Sequence, residues 1–112
     1  GLHGQYKILE EIKMPENKEL REEIALNLKD FKISLMRNYK ILEIGRAKNI
    51  LGEGPIKALK AYVNFCSENE EWLQLDSIIT TGTVTDAYDM KKGISFSINV
   101  DKFDLATHTL DL

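Results

Sequence analysis

Thr80, Thr81, Thr83 and Thr85 stand around Gly82 where a β-branched run ends. Glycine there lets a bound group approach the backbone, and threonine hydroxyls with nearby amides can donate hydrogen bonds to a carboxylate or enolate oxygen. The same spacing also fits a β-bulge beside a threonine face, and spacing alone favours that plainer arrangement. Other reactive side chains offer less. His3 and His108 lie at opposite ends of the chain with no ligand-spaced partner, so each reads as a surface histidine. Cys66 falls on the apolar stripe of a helix with no basic residue beside it in the pattern, and reads as a small core filler rather than a thiolate nucleophile. Glu10-Glu11, Glu22-Glu23 and Glu70-Glu71 carry the oxygen ligands a hard cation wants. Adjacent residues point to different sides of a strand or helix, however, so these pairs read as solvated acidic surface. The sequence holds no phosphate loop, nucleophile elbow or Cys/His cluster.

The elements that must position the threonines follow from apolar spacing. Residues 6–12 fit neither a clean strand nor a long helix, and Pro15 blocks helix continuation. Glu16 to Leu28 is charge-rich and fits a short helix or a connector equally well. Leu28 to Leu35, with Phe31, Ile33 and Leu35 alternating with polar residues, predicts a strand. Arg37 to Lys40 supplies a turn in which Asn38 tolerates the left-handed conformation, and Lys40 to Ile44 returns as a second strand. Pro55 suits a first helical turn, and Ile56, Leu59, Val63 and Cys66 then recur at helical spacing, predicting an amphipathic helix lying on a sheet. Ser77 to Thr81 is a short β-branched run that predicts a third strand. Ile94 to Asp101 alternates strictly between apolar and polar residues and predicts a fourth. Residues from Asp104 onward read as a tail or an added edge.

At 112 residues the chain has the length of one domain, read here as spanning 1–112. Its 43% apolar and 29% charged residues are a globular mix, with too few Gly and Pro for a collagen-like or low-complexity chain. A net charge of −3 gives no electrostatic reason to hold a polyphosphate backbone, so nucleic acid is not an expected partner. One cysteine cannot form an internal disulfide, which favours a reducing compartment. No apolar run is long enough for a membrane span, and the first residues lack the pattern of a signal peptide. The expectation is a cytoplasmic chain with no membrane partner. The absence of an initial methionine suggests a piece of something longer.

The residues also resemble a known family. Ser77-Ile78-Ile79-Thr80-Thr81-Gly82-Thr83-Val84-Thr85-Asp86-Ala87, followed by Gly93, resembles the closing segment of the 2-keto-4-pentenoate hydratase and 4-oxalocrotonate decarboxylase family, within the fumarylacetoacetate hydrolase superfamily. Upstream, Ile44 to Gly52, then Pro55 and Ala58-Leu59, is similar to the family's leucine–glycine loop and helix. The Arg37-Asn38-Tyr39-Lys40 turn sits where the family has an asparagine–glycine turn, with Tyr39 in place of the glycine, and Gly54 lengthens the later loop. The likeness runs in order from Leu28 to Val100.

What the resemblance implies is specific. The fold would be α+β: a curled, mostly antiparallel sheet with one amphipathic helix packed on it, part of a larger β-rich roll. The chain would be the C-terminal portion of a divalent-metal-dependent 2-oxo acid hydratase or decarboxylase of meta-cleavage aromatic catabolism. It would be inactive alone, because the family's Glu-x-Glu pair, third acidic ligand and catalytic lysine have no counterpart here. Mg²⁺ or Mn²⁺ would serve the parent enzyme with ligands this chain lacks, polarising the 2-oxo acid and stabilising its enolate. Thr81, Gly82 and Thr83 would wall the substrate pocket without transferring protons. Expected partners are a small 2-oxo acid and either further copies of the chain or the missing half. A different class of function stays open: a non-catalytic binding or assembly subunit that keeps the scaffold without the metal site.

Overall fold

Asn17 begins the first helix. In the computed structural model, which describes residues 7–112, its side-chain oxygen accepts the Leu20 N–H at 3.1 Å and so satisfies one of the helix's orphan donors. Helix α1 then runs Lys18–Lys29, with Glu19 in its first turn and Lys29 in its last, each charge complementing the helix dipole. Of the two arrangements open for 16–28, the helix wins. It also takes Leu28 and Lys29, which alternation had assigned to a strand. Periodicity misleads there because Leu28 belongs to the helical series with Ile24, and both face the same groove.

Strands β1 (Lys32–Arg37) and β2 (Lys40–Arg46) form a hairpin. Asn38 (φ 49°) and Tyr39 (φ 66°) are both left-handed, the backbone of a two-residue hairpin turn whose twist matches its strands. A tyrosine is costly there, and Asn38 offsets this by tying the turn to the next strand: its N–H donates to the Ser95 carbonyl at 2.8 Å and its side chain accepts the Ser95 N–H at 3.0 Å. β3 (Ser95–Val100) fills the predicted alternating stretch, and the segment beyond Asp104 adds an edge strand, β4 (His108–Asp111). The sheet is antiparallel throughout, ordered β2-β1-β3-β4, and does not close on itself.

Register decides the faces. Ile33 lies opposite Val100, Leu35 opposite Ile98, and Phe96 opposite Leu110, giving one apolar face. The other carries Ser34, Ser97, Asn99 and Thr109, where Ser97 and Thr109 share a hydrogen bond of 3.0 Å.

Two expectations are corrected. Ser77 to Thr81 forms no strand: residues 71–94 contain no regular element. The predicted helix is present as α2 (Pro55–Glu68), but it buries only Cys66 and leaves Leu59, Tyr62, Val63 and Phe65 exposed. The described residues thus hold two α-helices, and the stripe of α2 is not covered by the sheet as expected; α2 meets α1.

The buried apolar set is small: Phe31, Ala47, Ile50 and Cys66, with Phe31 edge-on to Phe103 at 6.0 Å. The chain exposes 9212 Å², whereas a compact monomer of 12.8 kDa would expose roughly 6300 Å². Its radius of gyration, 15.7 Å, likewise exceeds the roughly 13 Å of a compact chain this long.

Candidate functional site

The apolar face of the sheet, the Ile24/Leu28 side of α1 and the segment around Ile12 and Met14 enclose an open groove of about 630 Å³. Residues 81–85 form one wall of it. The three sequence-predicted site residues, Thr81, Gly82 and Thr83, thus come together along one groove, partly or fully open to solvent. Gly82 has φ 113°, a conformation other residues rarely adopt. An added Cβ would meet only Ile50, at 3.7 Å, so backbone conformation rather than space reserves the position for glycine.

Since this wall has no strand pairing of its own, side chains hold it. Asn49 follows β2 in a short 3-10 turn, Ala47–Asn49, and its amide donates to the Val84 carbonyl at 2.9 Å. The Glu43 carboxylate on β2 accepts the Asp86 N–H at 3.2 Å and the Tyr88 hydroxyl at 2.5 Å. That carboxylate raises the Tyr88 phenol above its ordinary value, because ionising it would lose the hydrogen bond and place two negative charges together. Gly45 lets the chain come close: a Cβ there would lie 2.5 Å from the Val84 carbonyl oxygen. These anchors escape sequence reasoning, since each lies some 35 to 45 residues from its partner and no local spacing links them.

What the described lining residues offer is hydrogen bonding: threonine hydroxyls can donate to an oxygen anion, and among the described residues that line the groove none is ionisable. Among the described residues no three His, Cys, Asp or Glu side chains gather as metal ligands. A hard divalent cation wants several oxygen ligands, so these residues do not fit one.

The remaining candidates lie apart. His3 is outside the described residues. His108, at the edge of the apolar face, meets Glu10 at 2.7 Å, and Glu10 also accepts the Ala106 N–H at 2.7 Å. The His108 hydrogen bond, then the Ala106 amide, hold the Glu10 carboxyl below its ordinary value. Cys66 is buried on α2, away from the groove. No helix is long and apolar enough to cross a membrane among the described residues. Comparison of the chain with family models, curated proteins and solved structures finds no match.

Proposed function

We propose that this chain is the substrate-wall portion of a divalent-metal-dependent 2-oxo acid hydratase or decarboxylase, of the 2-keto-4-pentenoate hydratase and 4-oxalocrotonate decarboxylase type. Thr81, Gly82 and Thr83 contribute hydroxyl and amide donors to a substrate's oxygens. One observation carries the reading: a hydroxyl-bearing segment with a left-handed glycine lines an open apolar groove and is held there by Asn49 and Glu43. The ligands for Mg²⁺ or Mn²⁺ would come from polypeptide other than the residues described, and the chain alone would be inactive.

The test is a titration of isotope-labelled chain with a short 2-oxo acid, with and without Mg²⁺, followed by amide chemical shifts. Shifts centred on 81–85 and indifferent to Mg²⁺ are expected. Unmoved amides at 81–83 with millimolar acid would remove the substrate-wall role.

A second reading draws on a different observation. The groove is almost wholly apolar and the molecule far exceeds the surface of a compact monomer, which suits a binding or assembly subunit with no chemistry of its own. Groove amides that move for a protein partner, and for no 2-oxo acid, would decide in its favour.

A further inference from the structure

We propose that residues 7–14 are a latched strap across one apolar trough, and that a small molecule with an extended apolar body binds that trough by lifting the strap. This role concerns access to the sheet's apolar face and does not rest on the 2-oxo acid reading of the threonine wall.

The apolar face carries a second groove besides the one walled by Ile12 and Met14. The first holds about 630 Å³ and the second about 340 Å³, lined by Lys7, Leu9, Phe96, His108 and Leu110. Ile98, in the middle of β3, lines both. In the sheet's register Leu110 lies opposite Phe96 and His108 opposite Ile98, so the two grooves share one face. The chain passing from Leu9 in one groove to Ile12 in the other therefore crosses a continuous apolar surface and divides it. Each groove has the size of a small-molecule site, and lifting the strap would join them.

Little holds the strap down. Residues 7–15 belong to no helix or strand, and among the described residues their backbone makes no hydrogen bond to backbone elsewhere. Leu9, Ile12 and Met14 remain 45%, 48% and 53% exposed, so each gains only about half of what full burial would give. The polar fastening is Glu10, whose carboxylate accepts the Ala106 N–H at 2.7 Å and meets His108 Nε2 at 2.7 Å. The other end of the strap is fixed where Asn17 caps α1. A segment with half-seated apolar side chains and one side-chain latch opens at low cost. An apolar ligand lying along the trough would bury surface that the strap leaves wet.

The experiment is an amide-shift titration of the isotope-labelled full chain with decanoate, and with butyrate, which has the same carboxylate without the extended chain. Decanoate should move the amides of Ile98 and Leu110 and send those of 9–14 to unstructured positions with fast hydrogen exchange. Butyrate should leave 9–14 in place. Glu10→Ala should tighten decanoate about fivefold, because apparent affinity rises with the fraction of chains whose strap is open. Glu10→Gln, which keeps an oxygen for the Ala106 N–H, should tighten it less. Ile8→Ser, within the strap but lining neither groove, should leave it unchanged. Circular dichroism and the protection of β3 amides confirm that each variant is folded. Decanoate that moves Ile98 and Leu110 while 9–14 keep their positions overturns the strap. So does equal affinity in the wild type and Glu10→Ala, or a chain whose Ile98 and Leu110 amides ignore millimolar decanoate. A strap that decanoate lifts in a chain whose 81–83 amides ignore a 2-oxo acid would keep this role and remove the substrate wall; the reverse result would do the opposite.

Discussion

Ser95–Val100 and Ser77–Thr81 are both stretches that composition assigns to strands, and only the first becomes one. The difference lies in their neighbours. β3 has β1 on one side and β4 on the other, so its amides and carbonyls find partners along its length. Its alternation places Phe96, Ile98 and Val100 on the apolar face while Ser97 and Asn99 bond on the other. Ser77–Thr81 has the β-branched residues without alternation or a flanking strand. Strand propensity describes fit to a pleated, half-buried surface, and without that surface it decides little. What holds the neighbouring threonine wall is a few side-chain tethers from β2 and the turn after it.

Proline tests that contrast most severely. Ile98→Pro removes an amide from the middle of a central strand and should cost more than about 3 kcal/mol, enough to unfold a marginal domain. Ile78→Pro falls on an exposed residue with no ladder to break and should change stability by only about 0.5 kcal/mol. Chemical denaturation of the two variants measures both. Equal losses would mean that 77–81 is paired in solution.

Gly45→Ala asks how closely the wall depends on β2. The new methyl would meet the Val84 carbonyl 2.5 Å away, and backbone cannot swing aside as the end of a side chain can. A loss of about 1–3 kcal/mol is expected, the usual cost of overpacking. Amide shifts for 81–86 should move while those of β3 stay. Movement of β3 instead would place the strain in the sheet.

Legibility along the sequence follows the same division. β3 was readable because a period of two survives wherever one face of a strand is buried. The β1–β2 turn was readable from Asn38 and the start of α2 from Pro55, both local backbone effects. The junction between α1 and β1 was not, since Leu28 and Phe31 fit a helical and a strand series alike. Nor was the exposure of α2: spacing shows that a helix has an apolar side, and not whether anything covers it. In the candidate site, the threonines and Gly82 announced themselves by type, whereas Glu43, Gly45 and Asn49 act only through the fold.

Those anchors give a smaller effect. Asn49→Ala removes the donor to the Val84 carbonyl and should cost about 1 kcal/mol, with faster hydrogen exchange confined to 84–88. Glu43→Gln removes the charge beside Tyr88, so the phenol should ionise nearer its ordinary value in a ring-carbon NMR titration. Loss of protection across β3 in the Asn49 variant would show that wall and sheet open as one unit.

The gentlest test is acid, at the opposite edge of the sheet. Glu10 ties the segment before α1 to β4 through His108 and the Ala106 amide, and its folded pKa lies below the ordinary 4.5. A depressed carboxyl contributes stability that is present above 4.5 and lost as pH falls through the lower folded value. This tie is solvent-exposed, so its loss should free residues 7–12 and the Ala106 amide while β3 keeps its protection. His108→Asn removes the imidazole that lowers the carboxyl most and should raise the pH at which Ala106 is released. Hydrogen exchange followed across that titration reads both. If β3 loosened together with Ala106, the edge would belong to the cooperative core, and the contrast between paired strand and tethered chain would not extend beyond the threonine wall.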